Sequence, residues 1–84
     1  MNETRFQITR FEALDPPTPQ GRALLLAAFD LEIDGLRLRN CFLVNRADKG
    51  FKVLGPNRNV VFQGRLASDV KNAARTEWMA LEHP

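Results

Sequence analysis

The sequence predicts an α+β domain: an antiparallel β-meander of about five strands followed by one C-terminal helix. Three observations carry that expectation. Asp34-Gly35 lies between two long, mostly apolar runs, and Asp-Gly is a preferred pair for a two-residue type I′ turn because both positions need positive φ. Folding the chain there pairs Glu32 with Arg37 and Asp30 with Arg39 while it matches apolar residues elsewhere. Beyond Gly64, Leu66, Val70, Ala74, Trp78 and Leu81 follow the spacing of one helical face.

The elements follow in order within a single domain spanning residues 1–84. Residues 6–11 alternate weakly and predict a first strand at a sheet edge. Pro16, Pro17 and Pro19 withhold backbone donors, so residues 15–21 read as a stiff loop that completes an N-terminal portion of residues 1–22. The meander occupies 23–63. Its central hairpin sets Ile33 opposite Leu36, Leu31 opposite Leu38, Ala27 opposite Phe42, Leu26 opposite Leu43 and Leu25 opposite Val44. A turn at 46–49 leads to a strand over 51–54, pairing Val44 with Phe51, Phe42 with Val53, Leu43 with Lys52 and Cys41 with Leu54. Gly55-Pro56 ends that strand, because proline cannot continue a central ladder. A further short strand is read at 60–63. The helix is placed at 66–81, with Ser68 or Asp69 as its N-cap.

This register makes one sheet face apolar along its length and the other apolar at one end, through Leu24, Leu26, Ala28, Cys41, Leu43 and Leu54. One helix covers one face of a small sheet. Exposed apolar patches mark interfaces, so a homodimer is expected, and an 84-residue chain gains stability from such a partner.

Charge is distributed unevenly. Between Gly35 and Arg75 nine cations meet only Asp48 and Asp69, a net +7, while the first 34 residues carry three arginines against six carboxylates. A basic stretch of this kind points to an anionic partner, nucleic acid being the commonest. Arg37 and Arg39 are assigned to hairpin ion pairs, which leaves Arg58, Lys52, Arg46, Lys49 and Arg65 as the candidate phosphate contacts. Most phenylalanines alternate into the core and tyrosine is absent, so phosphate contact is favoured over base stacking.

Enzyme chemistry is not expected. His83 is the only histidine and sits beside Pro84, and a general base needs fixed geometry. Cys41 lies among apolar neighbours, the setting of an inert thiol, and one cysteine alone builds neither a disulfide nor a metal site. Asp30, Glu32 and Asp34 read as charge partners and turn former. No glycine pattern cradles phosphate. No cofactor, metal or small-molecule substrate is implied. The longest apolar stretch, residues 23–29, is too short to cross a bilayer, and the N-terminus lacks a signal-peptide pattern. A cytoplasmic protein is expected.

Taken in order, Ala27-Ala28-Phe29-Asp30-Leu31-Glu32, the strand at 36–44, Gly50-Phe51-Lys52-Val53-Leu54-Gly55-Pro56 and the tip Asn57-Arg58-Asn59 give a pattern that resembles the stage V sporulation protein G family (SpoVG). The resemblance covers roughly two-thirds of the chain. One cation, Arg58, stands where that family has consecutive ones. The resemblance implies an antiparallel sheet with a C-terminal helix, a homodimer, and DNA or RNA binding in the regulation of expression. Two other readings remain open: a protein-interaction domain using an apolar sheet face, and a single-strand-binding domain like the coactivators built on a strand meander and one helix.

Overall fold

A computed structural model describes residues 5–47, 49–57 and 59–81. Among them are four strands, β1 (Phe6–Gln20), β2 (Ala23–Ile33), β3 (Leu36–Arg46) and β4 (Gly50–Leu54), and one helix, α1 (Gly64–Leu81). The strands form one antiparallel sheet in the order β1-β2-β3-β4. The architecture is therefore α+β, a four-stranded meander with a C-terminal helix. No helix among the described residues is long and apolar enough to cross a membrane.

The Asp34-Gly35 turn forms as its residue types require, with φ of 47° at Asp34 and 81° at Gly35. The first rungs are those expected: Ile33 with Leu36, Glu32 with Arg37 and Leu31 with Leu38. The ladder then slips. Asn40 adopts φ 64°, a bulge places one extra residue in β3, and Phe29, Ala28 and Ala27 pair with Cys41, Phe42 and Leu43. A second irregularity at Leu26 adds one residue to β2, so Leu25 again meets Val44. The expected pairs Ala27–Phe42 and Leu26–Leu43 do not form. The physical cause is local. Asn tolerates the left-handed region that a bulge needs, and the Asn40 N–H donates to Asp30 Oδ1 at 3.1 Å.

The slip exchanges the faces of β3 beyond residue 40. Cys41 and Leu43 join the core, while Phe42 and Val44 turn to the face away from the helix. The β4 register moves with them: Phe42 pairs with Leu54, Leu43 with Val53, Val44 with Lys52 and Asn45 with Phe51.

Two further expectations change. The proline-rich stretch is not a loop between strands; it lies within β1, whose pairing is interrupted between Ala13 and Thr18 and resumes to Gln20 opposite Ala23. An edge strand accommodates prolines there because one row of its N–H groups has no ladder partner. Residues 60–63 form no strand. Asn59 N–H donates to Asn57 Oδ1 at 2.8 Å and Val60 N–H to the Asn57 carbonyl at 3.1 Å, closing a tight turn. Gly55 is required there, because any Cβ would collide with the Val60 carbonyl oxygen. The chain then passes directly to α1.

α1 begins earlier than its polar residues suggest. The Ala67 N–H bonds the Gln63 carbonyl at 3.3 Å, so Ser68 and Asp69 lie inside the helix and neither caps it. Its apolar stripe is the expected one: Val70 and Ala74 are fully buried, with Leu66 and Trp78 packed against the same cluster. Leu81, the last member, remains 51% exposed. Phe29, Leu31, Cys41, Leu43 and Val53 supply the sheet side of this core. Phe51 meets Trp78 with ring centroids 6.0 Å apart, and the Arg75 guanidinium lies 5.1 Å from the Phe51 ring centre. These contacts hold α1 over one sheet face and leave the other without a helix.

Candidate nucleic-acid interface

The meander brings its β1–β2 and β3–β4 turns to the same end of the sheet. Ala23 pairs with Arg46, and Arg46 with Gly50. The first turn needs Gly21 at φ 61° and the second Gly50 at φ 76°; the left-handed region is open to glycine without Cβ strain. Arg22 stands in the first turn. Lys49 stands in the second, its N–H donating to the Arg46 carbonyl at 3.1 Å.

Arg46 and Lys52 share the helix-free face by alternation, since Val44 pairs with Lys52 and Arg46 lies two residues beyond Val44. With Arg22, Gln20 and Leu54 they line a shallow hollow of about 260 Å³ whose floor includes the buried Val44. No ion pair with a described carboxylate involves Arg22, Arg46, Lys49 or Lys52. The arrangement is a concave cationic surface over an apolar floor, suited to anionic oxygens spaced along a chain.

Of the residues singled out from sequence, the fold gathers Arg46, Lys49 and Lys52 at this end. Arg65 is elsewhere, in the first turn of α1, with Nε 3.8 Å from Asp69 Oδ2. Arg58 lies outside the described residues. Arg22 was not anticipated. Its signal was present in Gly21, which predicts a turn, but only the pairing of β1 through Gln20 brings that turn beside Arg46.

A second hollow adjoins the first. It measures about 480 Å³, and its walls include Phe42, Leu54, Pro56, Val60 and Val61, with Gln20, Lys52 and Asn57 at polar positions. Gln20, Lys52 and Leu54 line both hollows. Phe42 is only partly buried, and Val61 is 66% exposed. The expectation that the phenylalanines are taken up by the core fails at Phe42, because the bulge at Asn40 turns its ring to the open face.

Toward the Asp34-Gly35 end, the same face carries a charge-compensated cluster. Arg10 Nε donates to Asp30 Oδ2 at 3.2 Å, Arg10 Nη1 lies 3.6 Å from Glu12, and Arg37 Nη2 donates to Glu32 Oε2 at 3.3 Å. The Glu32–Arg37 pair is the expected one. Asp30 pairs with Arg10 from β1 and not with Arg39 across the hairpin, because the bulge displaces Arg39 from its rung. The Arg10 guanidinium and then the Asn40 N–H hold the Asp30 carboxyl below the ordinary range, and Asp30 raises Arg10 in return. Arg10, Arg37 and Arg39 border a hollow of about 540 Å³, but carboxylates occupy the first two. This end is a structural ion-pair network with Arg39 at its border, and Arg22, Arg46, Lys49 and Lys52 lie at the other end of the sheet. Comparison with known protein families, curated proteins and solved structures finds no match to this chain.

Proposed function

We propose that this protein is a SpoVG-like, non-catalytic regulator that binds nucleic acid through phosphate contacts from Arg22, Arg46 and Lys52, with Lys49 in support, and that it works in the cytoplasm. One observation carries the reading: three cations from three separate segments, Arg22, Arg46 and Lys52, line one hollow at one end of the helix-free face beside the turn that holds Lys49, with no described carboxylate paired to any of the four. Arg58 belongs to the proposal by its sequence position alone, and Arg65 contributes only general charge.

The test is a binding titration against salt. Neutralised phosphates release counterions, with a slope of about −0.9 per contact on duplex DNA. Three contacts therefore weaken duplex binding about 40-fold between 50 and 200 mM salt, and the Lys52→Ala protein only about 12-fold. Parallel slopes for the wild type and for Arg46→Ala with Lys52→Ala overturn the phosphate reading.

A second reading seats a protein partner, a second copy of this chain first among them, on the same face. The partly exposed Phe42 and Leu54 beside the exposed Val61 favour it. The two readings compete for one surface, because a copy over Phe42 and Leu54 covers Lys52. A sedimentation mass near twice 9.5 kDa that is unchanged by salt, in a protein that binds no nucleic acid, selects the second.

A further inference from the structure

We infer that the nucleic acid bound at this site is unpaired, one of its bases entering the apolar hollow beside Phe42 while the flanking phosphates lie on the cationic hollow. The inference rests on the phosphate-binding reading and narrows its substrate to single strands.

The argument begins at the bulge. With Asn40 at φ 64°, Phe42 leaves the helix-covered face and its ring borders the 480 Å³ hollow. That volume lies within the range of about 300–1,000 Å³ typical of small-molecule sites. Leu54, Pro56 and Val60 supply apolar walls, and the Gln20 and Asn57 amides offer donors and acceptors of the kind a base edge uses. Lys52 belongs to both hollows, so apolar slot and cationic surface share a wall. An aromatic surface beside cations is the arrangement that single-strand binders use, because every base has a π-face and every linkage a charge.

A duplex uses only half of this arrangement. Its phosphates reach Arg22, Arg46 and Lys52, but its bases are stacked and paired inside the helix and cannot enter a slot without being extruded. An unpaired strand meets no such cost. The site therefore distinguishes single from double strands at equal phosphate number.

The experiment measures affinity by fluorescence polarisation for a 12-nucleotide single-stranded DNA, the RNA of the same sequence, the corresponding DNA duplex, and the same DNA strand made abasic. The wild type is expected to bind both single strands about tenfold or more tighter than the duplex, and the abasic strand no better than the duplex. Phe42→Leu keeps apolar bulk and removes the ring; it is expected to erase the single-strand preference. Val61→Glu, at an exposed position whose change leaves the core intact, is expected to do the same by placing a carboxylate at the rim. Lys52→Ala weakens every ligand. Equal affinity for single strand and duplex, or full affinity for the abasic strand, overturns the inference and leaves the phosphate reading standing. No salt-dependent binding of any of the four overturns both.

Discussion

Replacing Asn40 by valine gives opposite results with and without the bulge. At φ 64° residue 40 occupies the left-handed region, which costs an ordinary L-residue about 1–2 kcal/mol and a β-branched one at least as much. The Asn40 N–H bond to Asp30 involves the backbone and survives any side-chain change, so the strain is the main term. Asn40→Val should therefore destabilise by about 1–2 kcal/mol, lowering the melting temperature of an 84-residue domain by about 5–15 °C. In an unbroken ladder residue 40 would be extended, and valine would stabilise it by up to about 1 kcal/mol. Asn40→Gly tolerates positive φ, loses some stability through the unfolded chain and stays within about 1 kcal/mol of wild type. The bulge thus predicts that glycine is tolerated better than valine, and the unbroken ladder predicts the reverse order. Thermal and urea unfolding followed by circular dichroism decides between them. Cys41 gives a second reading of the same event. It is fully buried on the helix-covered face, and burial pushes its thiol up to about 11, so a thiol reagent at pH 8 should label it only as the protein unfolds. A valine variant as stable as wild type, or a native Cys41 that labels at the rate of a free thiol, refutes the bulged register.

The ion-pair network makes two further predictions. Arg37→Ala, which breaks an exposed 3.3 Å pair, should cost about 0.2–1 kcal/mol, and Arg39→Ala less than about 0.5 kcal/mol; urea midpoints that place Arg39 above Arg10 in importance would restore the Asp30–Arg39 pairing. Because the folded Asp30 carboxyl lies below its ordinary range, its contribution is present above the unfolded value near 3.9 and is lost as pH falls through the folded one. Asp30→Asn should accordingly flatten the loss of stability below about pH 4 and leave the change between pH 7 and pH 5 as it is in wild type; an unaltered acid limb counts against the assignment.

What the chain reveals in advance depends on how strongly each segment marks its own geometry. Asp34-Gly35 is decisive because few residue pairs tolerate that turn, and the rungs beside it follow. The helical stripe is equally legible, since Val70 and Ala74 recur one turn apart on a single face. The slip at Asn40 left a fainter trace: Leu36-Arg37-Leu38-Arg39 alternates, and then Asn40 adds a second successive polar residue before Cys41. That break in period is what a bulge looks like in sequence. Its counterpart at Leu26 left none, because the run from Ala23 to Phe29 is apolar throughout and carries no parity. The cationic end was half visible. Lys52 is placed opposite Phe51 by simple alternation, whereas Arg22 needed the pairing of β1 through its prolines, which composition alone argues against.

The two irregularities of the central hairpin act like a pair of mutually suppressing frameshifts. One extra residue in β3 at Asn40 and one in β2 at Leu26 enclose a block of three rungs, Phe29–Cys41 through Ala27–Leu43, read in a different frame from the text on either side. Outside the block the frame is restored, so the Asp34-Gly35 turn and the Ala23–Arg46 rung keep the spacing of an uninterrupted hairpin. The pairing changes only inside the block, but the faces of β3 stay exchanged from Cys41 to its end, so Phe42, Val44 and Arg46 are shown on the open side. Removing both extra residues would keep every remaining rung and leave Phe42 outward, because it still follows the inward Cys41.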